Sequence, residues 1–170
     1  PLGSPSDRSP PTPLHPPLPK DTTMTDSIIT TDLITLDADL GADKDAVITA
    51  LAGLLTTAGR ASDAAAVSRA ALDREAQSAT GLPGGIAIPH CRAAAVTTPS
   101  LAFARLAPEV DFGAPDGPAD LVFLIAAPEG AGAEHMKLLS SLARALVRPT
   151  FVAELRAAAT PASVVALVDE

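Results

Sequence analysis

The segment Asp120-Leu-Val-Phe-Leu-Ile-Ala126 constrains the fold more than any other part of the chain. It is almost wholly apolar, as is typical of a strand that other elements cover on both faces. The clean apolar run from Leu121 to Ala127 is far shorter than the roughly 18–20 residues that span a bilayer. We therefore predict a buried central strand rather than a membrane helix.

Further strands and helices are predicted on both sides of this strand. β-Branched or alternating residues predict the other strands, which lie near 33–36, at 86–88 and at 101–106. Apolar residues three and four positions apart predict helices that begin after Asp43, at Ala64, at Ala133, near residue 150 and at Pro161. This interleaving predicts an α/β domain with a single mixed β-sheet covered by helices on both faces.

Capping residues place the ends of several of these helices. Gly59 is expected to stop the first helix, and Ser62 or Asp63 to cap the second, which runs to about Ala76. The long third helix is expected to end near Val147, before Pro149. Thr160 is the expected cap of the last helix, with Pro161 at its first position.

Residues 1–23 are predicted to lie outside the folded domain. They hold eight of the 17 prolines, and proline removes a backbone donor, so this run cannot enter a helix or a central strand. Pro1-Leu-Gly-Ser4 is typical of the remnant of a cleaved tag, and we interpret Met24 as the natural start. We therefore assign 1–23 to a cloning scar and a disordered Pro-rich head, and 24–170 to one domain.

Composition and charge exclude several classes of protein. Hydrophobic residues make up 47% of the chain and aromatic residues only 2%, so the core must consist of Ala, Leu, Val and Ile. A net charge of −8 disfavours binding to nucleic acid or anionic lipid. The single cysteine, Cys91, excludes an internal disulfide framework and fits a reducing compartment. We expect a cytoplasmic protein.

His90 and His135 are the two histidines of the predicted domain. His90 follows the short strand 86–88 and a proline, and its neutral imidazole is a good nucleophile near pH 7. His135 lies in the first turn of the long helix, where unpaired N–H groups and the helix dipole favour an anion. From local chemistry alone, the structural alternative, a hydrogen-bonded histidine without a role in transfer, is favoured for both residues.

Two further side chains near His90 leave the same alternatives open. Arg74, on the second helix, has the two parallel donors that recognise phosphate, but it could also be an exposed helix charge. Cys91 could be a thiol nucleophile, although no second cysteine supports that role, and we interpret it as a small packing residue.

Metal and nucleotide chemistry find little support in the sequence. A two-histidine metal hydrolase using His90, His135 and Glu129 or Glu134 is the alternative from a different class, but no His-x-x-x-His spacing supports it. The stretch Gly81-x-x-Gly84-Gly85 lacks the lysine of a P-loop and opens a strand rather than a helix. We predict neither a metal nor another cofactor.

Four separated segments together resemble one protein family. Thr80-Gly-Leu-Pro-Gly-Gly-Ile-Ala-Ile-Pro-His90 resembles the active-site signature of the fructose/mannitol class of enzyme IIA of the bacterial phosphoenolpyruvate-dependent sugar phosphotransferase system. Arg74 lies sixteen residues before His90, at the family's spacing. The other matching segments are Val110-Asp-Phe-Gly113, Leu121 to Glu129 and Glu134 to Ala143, so that the resemblance covers roughly 28–168.

The resemblance implies a mechanism and a set of partners. The histidine of the Ile-Pro-His motif takes a phosphoryl group from the phosphohistidine of the carrier protein HPr. It then gives that group to a cysteine of a IIB domain, which phosphorylates sugar entering through a membrane IIC domain. By position, His90 is the implied acceptor through Nε2, flanked by His135 and Arg74. Thr80, Gly81, Gly84 and Gly85 are predicted to form a phosphate-binding loop beside it.

The resemblance leaves two functional branches open. Asp111-Phe-Gly and Pro128-Glu-Gly-Ala favour the fructose branch, in which the chain serves sugar uptake. The paralogous regulatory, nitrogen-type enzyme IIA uses the same phosphohistidine and is the alternative.

Overall fold

Six strands form one mixed sheet in the computed structural model, which describes residues 28–169. They are β1 (Ile34–Ala38), β2 (Gly81–Leu82), β3 (Ile86–Ala87), β4 (His90–Ala93), β5 (Ser100–Val110) and β6 (Ala119–Pro128). The strand order is β1-β5-β6-β3-β2, and β4 also pairs with β6. β5 and β6 are antiparallel, as are β2 and β3, whereas β1 runs parallel to β5 and both β3 and β4 run parallel to β6.

Five α-helices cover this sheet within the described residues. They are α1 (Lys44–Thr57), α2 (Ala64–Gln77), α3 (Gly132–Leu146), α4 (Pro149–Ala157) and α5 (Pro161–Asp169), and a short 3₁₀ helix (Thr31–Leu33) precedes β1. Apolar residues of α1 and α2 share one core with the sheet, and those of α3, α4 and α5 share a second core with it. The predicted α/β class with helices on both faces is confirmed.

The central strand β6 divides its side chains between these two cores. Val122 and Leu124 belong to the core with α1 and α2, while Phe123 and Ile125 belong to the core with α3, α4 and α5. All four are 0% exposed, and the ring of Phe123 packs at a tilt against that of Phe103 on β5, with 4.7 Å between the ring centroids. Because successive side chains of a strand point to opposite faces, a wholly apolar strand is what a sheet covered on both sides requires.

The strand predicted at 86–88 is shorter than expected, and a second strand follows it. β3 pairs Ile86 with Leu121 and β4 pairs His90 with Ile125, so both keep the same offset of 35 residues from β6. The break between them falls at Ile88 and Pro89, where proline has no N–H to continue the ladder. His90 is thus the first residue of β4, not a residue just beyond the end of a strand.

The helix caps follow the predicted residues. Asp63, rather than Ser62, caps α2 by accepting hydrogen bonds from the N–H groups of Ala65 and Ala66. Thr160 Oγ1 accepts from the N–H of Ser163 at the start of α5. Gly59, with φ at +80°, follows the end of α1 in the left-handed conformation that glycine adopts readily.

No membrane helix was predicted, and residues 1–23 were predicted to lie outside the folded domain. Among residues 28–169 no helix has the length and apolar character needed to cross a bilayer. The assignment of 1–23 to a cloning scar and a disordered head lies outside the described residues.

Candidate functional site

A cavity of about 790 Å³ opens between α2, β4 and the start of α3. Its lining includes His90, His135 and Arg74, which the sequence singled out, together with Arg92 and Glu129. The structure therefore brings residues from three distant segments to one place. Its polar side chains come from the end of α2, from one face of β4, from the first turn of α3 and, for Glu129, from the loop before α3.

His90 is held in one orientation by its own backbone. Its Nδ1 lies 2.9 Å from the carbonyl oxygen of Ile88. A carbonyl only accepts hydrogen bonds, so the ring proton resides on Nδ1 and the lone pair on Nε2. Burial lowers the pKa of His90, and the charge of Arg74 lowers it further, while the Ile88 carbonyl and Glu75 act in the opposite direction. His90 is thus a neutral imidazole whose Nε2 can act as a nucleophile near pH 7.

His135 lies beside His90 and is almost completely buried. The two ring centroids are 5.5 Å apart, and His135 is only 5% exposed. Its buried Nδ1 has no hydrogen-bond partner among the described residues. Burial lowers the pKa of His135 to about 4, with His90 and Arg92 acting in the same direction. An unsatisfied buried nitrogen costs about 1–3 kcal/mol, and such groups in native proteins call for a functional explanation.

Arg74 reaches the cavity from the last turn of α2. Its Nη1 donates to the carbonyl of Ser78 at 2.9 Å, and it forms no ion pair with a carboxylate in the described part of the chain. The effect of its charge on the pKa of His90 shows that the guanidinium is electrostatically coupled to that ring. Arg74 therefore keeps donors available for an anion.

Arg92 is a cavity residue that the sequence reasoning missed. It lies two residues after His90 on β4, so the two side chains share one face of the strand. Its Nη1 lies only 2.8 Å from where a Cβ on Gly132 would stand, which places the guanidinium against the first residue of α3. The guanidinium of Arg92 has no hydrogen bond or ion pair with any side chain that the structure describes. The period of two along β4 would have identified it, had a strand been predicted there.

Cys91 points to the opposite side of β4 from these residues. It is 4% exposed and packs in the core formed with α1 and α2. Burial raises the pKa of its thiol to about 11. A thiol that stays protonated is a poor nucleophile, which agrees with the packing role given to it above.

The N-terminus of α3 borders the cavity with the positive end of its helix dipole, which favours an anion. No side chain caps this helix at Ala131, and the N–H of His135 makes its first intrahelical bond, to the Ala131 carbonyl. Gly132 and His135 both line the cavity. The first-turn N–H groups therefore border the space beside His90 without an acceptor among the side chains that the structure describes.

The four residues of the predicted phosphate-binding loop do not line this cavity, and their donors are largely occupied. Glu75 binds the N–H and hydroxyl of Thr80, and the carbonyl of Phe112 accepts from Gly81. The Asp116 carboxylate accepts from the N–H of Gly84. Gly85 is held through its carbonyl, which accepts from the N–H groups of Asp120 and Leu121 in β6. Because Ile86 and His90 pair with β6 four residues apart, Gly84 and Gly85 lie roughly 13 Å or more from the histidine along the sheet.

The metal alternative lacks a ligand set in the described residues. Glu129 lines the cavity with both histidines, but the side chains that the structure describes, which do not include that of Glu134, form no group of three or more His, Cys, Asp or Glu placed to share a metal ion.

Comparisons with known proteins give one consistent family. Residues 27–170 match the family model described as phosphoenolpyruvate-dependent sugar phosphotransferase system, EIIA 2. The fructose-specific EIIA component of Haloferax volcanii is 41% identical over 128 residues, covering 75% of this chain and 82% of that protein. The nitrogen regulatory protein of Pseudomonas aeruginosa is 38% identical over 121 residues, covering 71% and 79%. The fructose-specific EIIABC component of Bacillus subtilis is 40% identical over 129 residues, which are 75% of this chain. The matched part covers only 20% of the length of that protein.

Two solved structures share the fold. The nitrogen regulatory protein IIA-Ntr of Neisseria meningitidis has a TM-score of 0.77 and 32% identity, covering 85% of this chain and 99% of that one. The enzyme IIA for mannitol of Escherichia coli, solved in complex with phosphorylated enzyme IIB, has a TM-score of 0.70 and 26% identity, covering 83% and 96%.

The buried, neutral state of His135 predicts how stability depends on pH. In the unfolded chain this histidine takes up a proton below its ordinary pKa of 6.5, whereas in the folded protein it does so only near 4. Stability should therefore fall as the pH drops from 6.5 towards 4. Between pH 7.5 and 5.0 we expect His135 to account for a loss of about 2 kcal/mol in the free energy of unfolding.

Urea unfolding of the parent and of His135→Asn at both pH values measures this contribution. The variant lacks the titrating ring, so its stability should change less with pH by about that amount. An equal change in the two proteins would contradict the neutral, buried state of His135.

Proposed function

We propose that this chain, which belongs to the EIIA 2 family of the phosphoenolpyruvate-dependent sugar phosphotransferase system, is a phosphocarrier that accepts a phosphoryl group on Nε2 of His90. Membership makes it a phosphotransferase component. The observation that carries the choice of atom is the hydrogen bond from Nδ1 of His90 to the Ile88 carbonyl, which leaves the lone pair on Nε2.

The transfer needs a nucleophile and donors for the migrating group. The Nε2 lone pair forms a bond to phosphorus while the bond to the donor phosphohistidine, expected to be that of HPr, breaks. Negative charge spreads over the three equatorial oxygens in a loose, in-line transition state, so placed donors supply most of the stabilisation. Arg74 and Arg92, both free of carboxylate partners in the described residues, are the cations that we assign to these oxygens.

His135 contributes a donor without adding a charge. Its Nδ1 has no acceptor nearby, so we place the ring proton on Nε2, from which it can be donated to a phosphoryl oxygen. With the pKa of His135 lowered to about 4, the ring stays neutral at pH 7. A neutral donor stabilises the phosphoryl group less than a cation would, which suits a group that must be passed on.

We assign the phosphoryl group's next acceptor to a IIB domain, and through it to a membrane IIC domain for fructose-type uptake. Two similar proteins are named as fructose-specific components, and the enzyme IIA for mannitol forms a complex with a phosphorylated IIB. A nitrogen regulatory role is the second candidate, since the proteins similar to this chain also include nitrogen regulatory proteins.

The acceptor role of His90 can be tested by incubating the protein with phosphoenolpyruvate, enzyme I and HPr. We expect one phosphoryl group per chain, labile in acid and stable in base, because a phosphoimidazole is hydrolysed in acid. His90→Ala should abolish labelling, and His135→Ala should slow it substantially while circular dichroism stays unchanged. Labelling of His90→Ala at the parent's rate would show that another residue is the acceptor.

The role of Arg92 can be separated from a general effect of charge. Arg92→Ala should slow phosphorylation of His90 by about tenfold, which corresponds to a charge-assisted hydrogen bond worth about 1.5 kcal/mol. Arg69→Ala is the matched control, because Arg69 is an exposed arginine of α2 that does not line the cavity. Equal rates for the two variants would remove Arg92 from the site.

The two functional branches differ in what the phosphorylated protein does next. When the phosphorylated chain is mixed with fructose-type IIB domains, we expect its labelled phosphoryl group to move to a IIB cysteine. A phosphorylated chain that keeps its label with every IIB domain tested would favour the regulatory alternative. The His90→Ala variant cannot carry the phosphoryl group on residue 90, so it serves as the negative control for transfer to IIB.

A further inference from the structure

Glu75 is a buried carboxylate that the phosphoryl transfer itself does not use. It is 3% exposed, follows Arg74 on α2 and does not line the cavity. Oε2 accepts from the N–H of Thr80 at 2.9 Å and Oε1 accepts from its hydroxyl at 2.6 Å, while Lys44 Nζ lies 3.4 Å from Oε2. Burying a carboxylate is costly unless such partners satisfy it, so this arrangement calls for an explanation.

Two further hydrogen bonds, one between backbone groups and one from the ring itself, lead from Thr80 to the imidazole of His90. The carbonyl of Thr80 accepts from the N–H of Ile88 at 3.2 Å. The carbonyl of Ile88 in turn accepts from Nδ1 of His90 at 2.9 Å. The next carbonyl, that of Pro89, binds the N–H of Ile125 on β6. The Ile88 carbonyl thus points away from β6, towards the ring it holds.

We propose that Glu75 is a positioning residue that anchors Thr80 and, through it, the Ile88 carbonyl that keeps the ring proton of His90 on Nδ1. Without the carboxylate, two buried donors of Thr80 lose their acceptors, and Thr80 no longer holds Ile88 in place. The imidazole can then place its proton on Nε2, the atom that must attack phosphorus. The proposal deepens the proposed function and rests on it for the use made of Nε2, but the tautomer itself can be observed without any transfer.

Nitrogen NMR of the unphosphorylated protein, labelled with ¹⁵N in its histidine rings, tests this role at pH 7.5. The parent should show His90 protonated mainly at Nδ1. Glu75→Ala should shift the ring towards the mixture of tautomers of an unrestrained imidazole. Glu75→Gln should restore the parent's tautomer, because its amide oxygen can accept from the Thr80 N–H and its NH₂ can donate to the hydroxyl.

The kinetics of His90 phosphorylation test the role of Glu75 independently of the NMR measurement. We expect Glu75→Ala to lower kcat for phosphorylation by about tenfold, as when a partner that orients a functional histidine is removed, with KM for phospho-HPr unchanged. Glu154→Ala is the matched control, since Glu154 is an exposed helix glutamate without a hydrogen bond or ion pair in the described residues. That variant should match the parent in tautomer and in rate.

The outcomes separate this role from a purely structural one. A Glu75→Ala protein that is less stable but keeps the Nδ1–H tautomer would overturn the proposal. Where Glu75→Ala does not fold, Thr80→Val removes only the hydroxyl bond, and an unchanged tautomer there also overturns it. If the parent is never phosphorylated on His90, the proposed function fails, while the NMR series still decides whether Glu75 sets the tautomer.

Discussion

The pairing of an interrupted strand with β6 is the constraint on which the site depends. β6 is buried on both faces, so its position is set by two cores at once. β3 and β4 keep the same offset from β6 across the break at Pro89. His90 therefore has its backbone fixed by the most buried strand of the sheet, while its side chain faces a cavity at the edge of α2 and α3.

The same geometry explains why neighbouring residues have opposite roles. Along β4, Cys91 points into a core and carries a thiol whose pKa burial raises to about 11. His90 and Arg92 share the other face and line the cavity. On α2, Arg74 reaches the cavity, whereas the adjacent Glu75 turns inward to bind Thr80. Alternation on the strand and the turn of the helix thus separate the side chains that face the cavity from those that pack in the core or bind Thr80.

The elements that sequence periodicity could predict are those whose signal is local. The two-sided burial of β6 and the cap at Asp63 both depend on residues within a few positions of one another. The break at Pro89 turned one expected strand into two, and β4, which carries Arg92, had no apolar run to reveal it. Arg92 was missed for that reason.

The predicted phosphate-binding loop shows where local chemistry is insufficient. A run of glycines has backbone donors, but whether they are free depends on partners far away in the chain. Here Phe112 and Asp116 occupy the donors of Gly81 and Gly84, and Thr80 is bound by Glu75. By contrast, the spacing of His90, His135 and Arg74 within a family signature predicted that they lie together, and all three line one cavity. That spacing retains information on tertiary contacts that composition and periodicity lack.

In the proposed phosphoryl transfer, two neutral imidazoles and two guanidinium groups without a carboxylate partner among the described residues meet opposing demands. The nucleophile must be unprotonated near pH 7, which burial and Arg74 favour by lowering the pKa of His90. The migrating group must be stabilised, yet a dense cluster of cations around it would make its departure slow. Burial of His135 would satisfy both demands in that transfer, since a ring with a pKa near 4 donates a hydrogen bond without a positive charge. The cost is a buried nitrogen without a hydrogen-bond partner among the described residues, which the proposed transfer would explain.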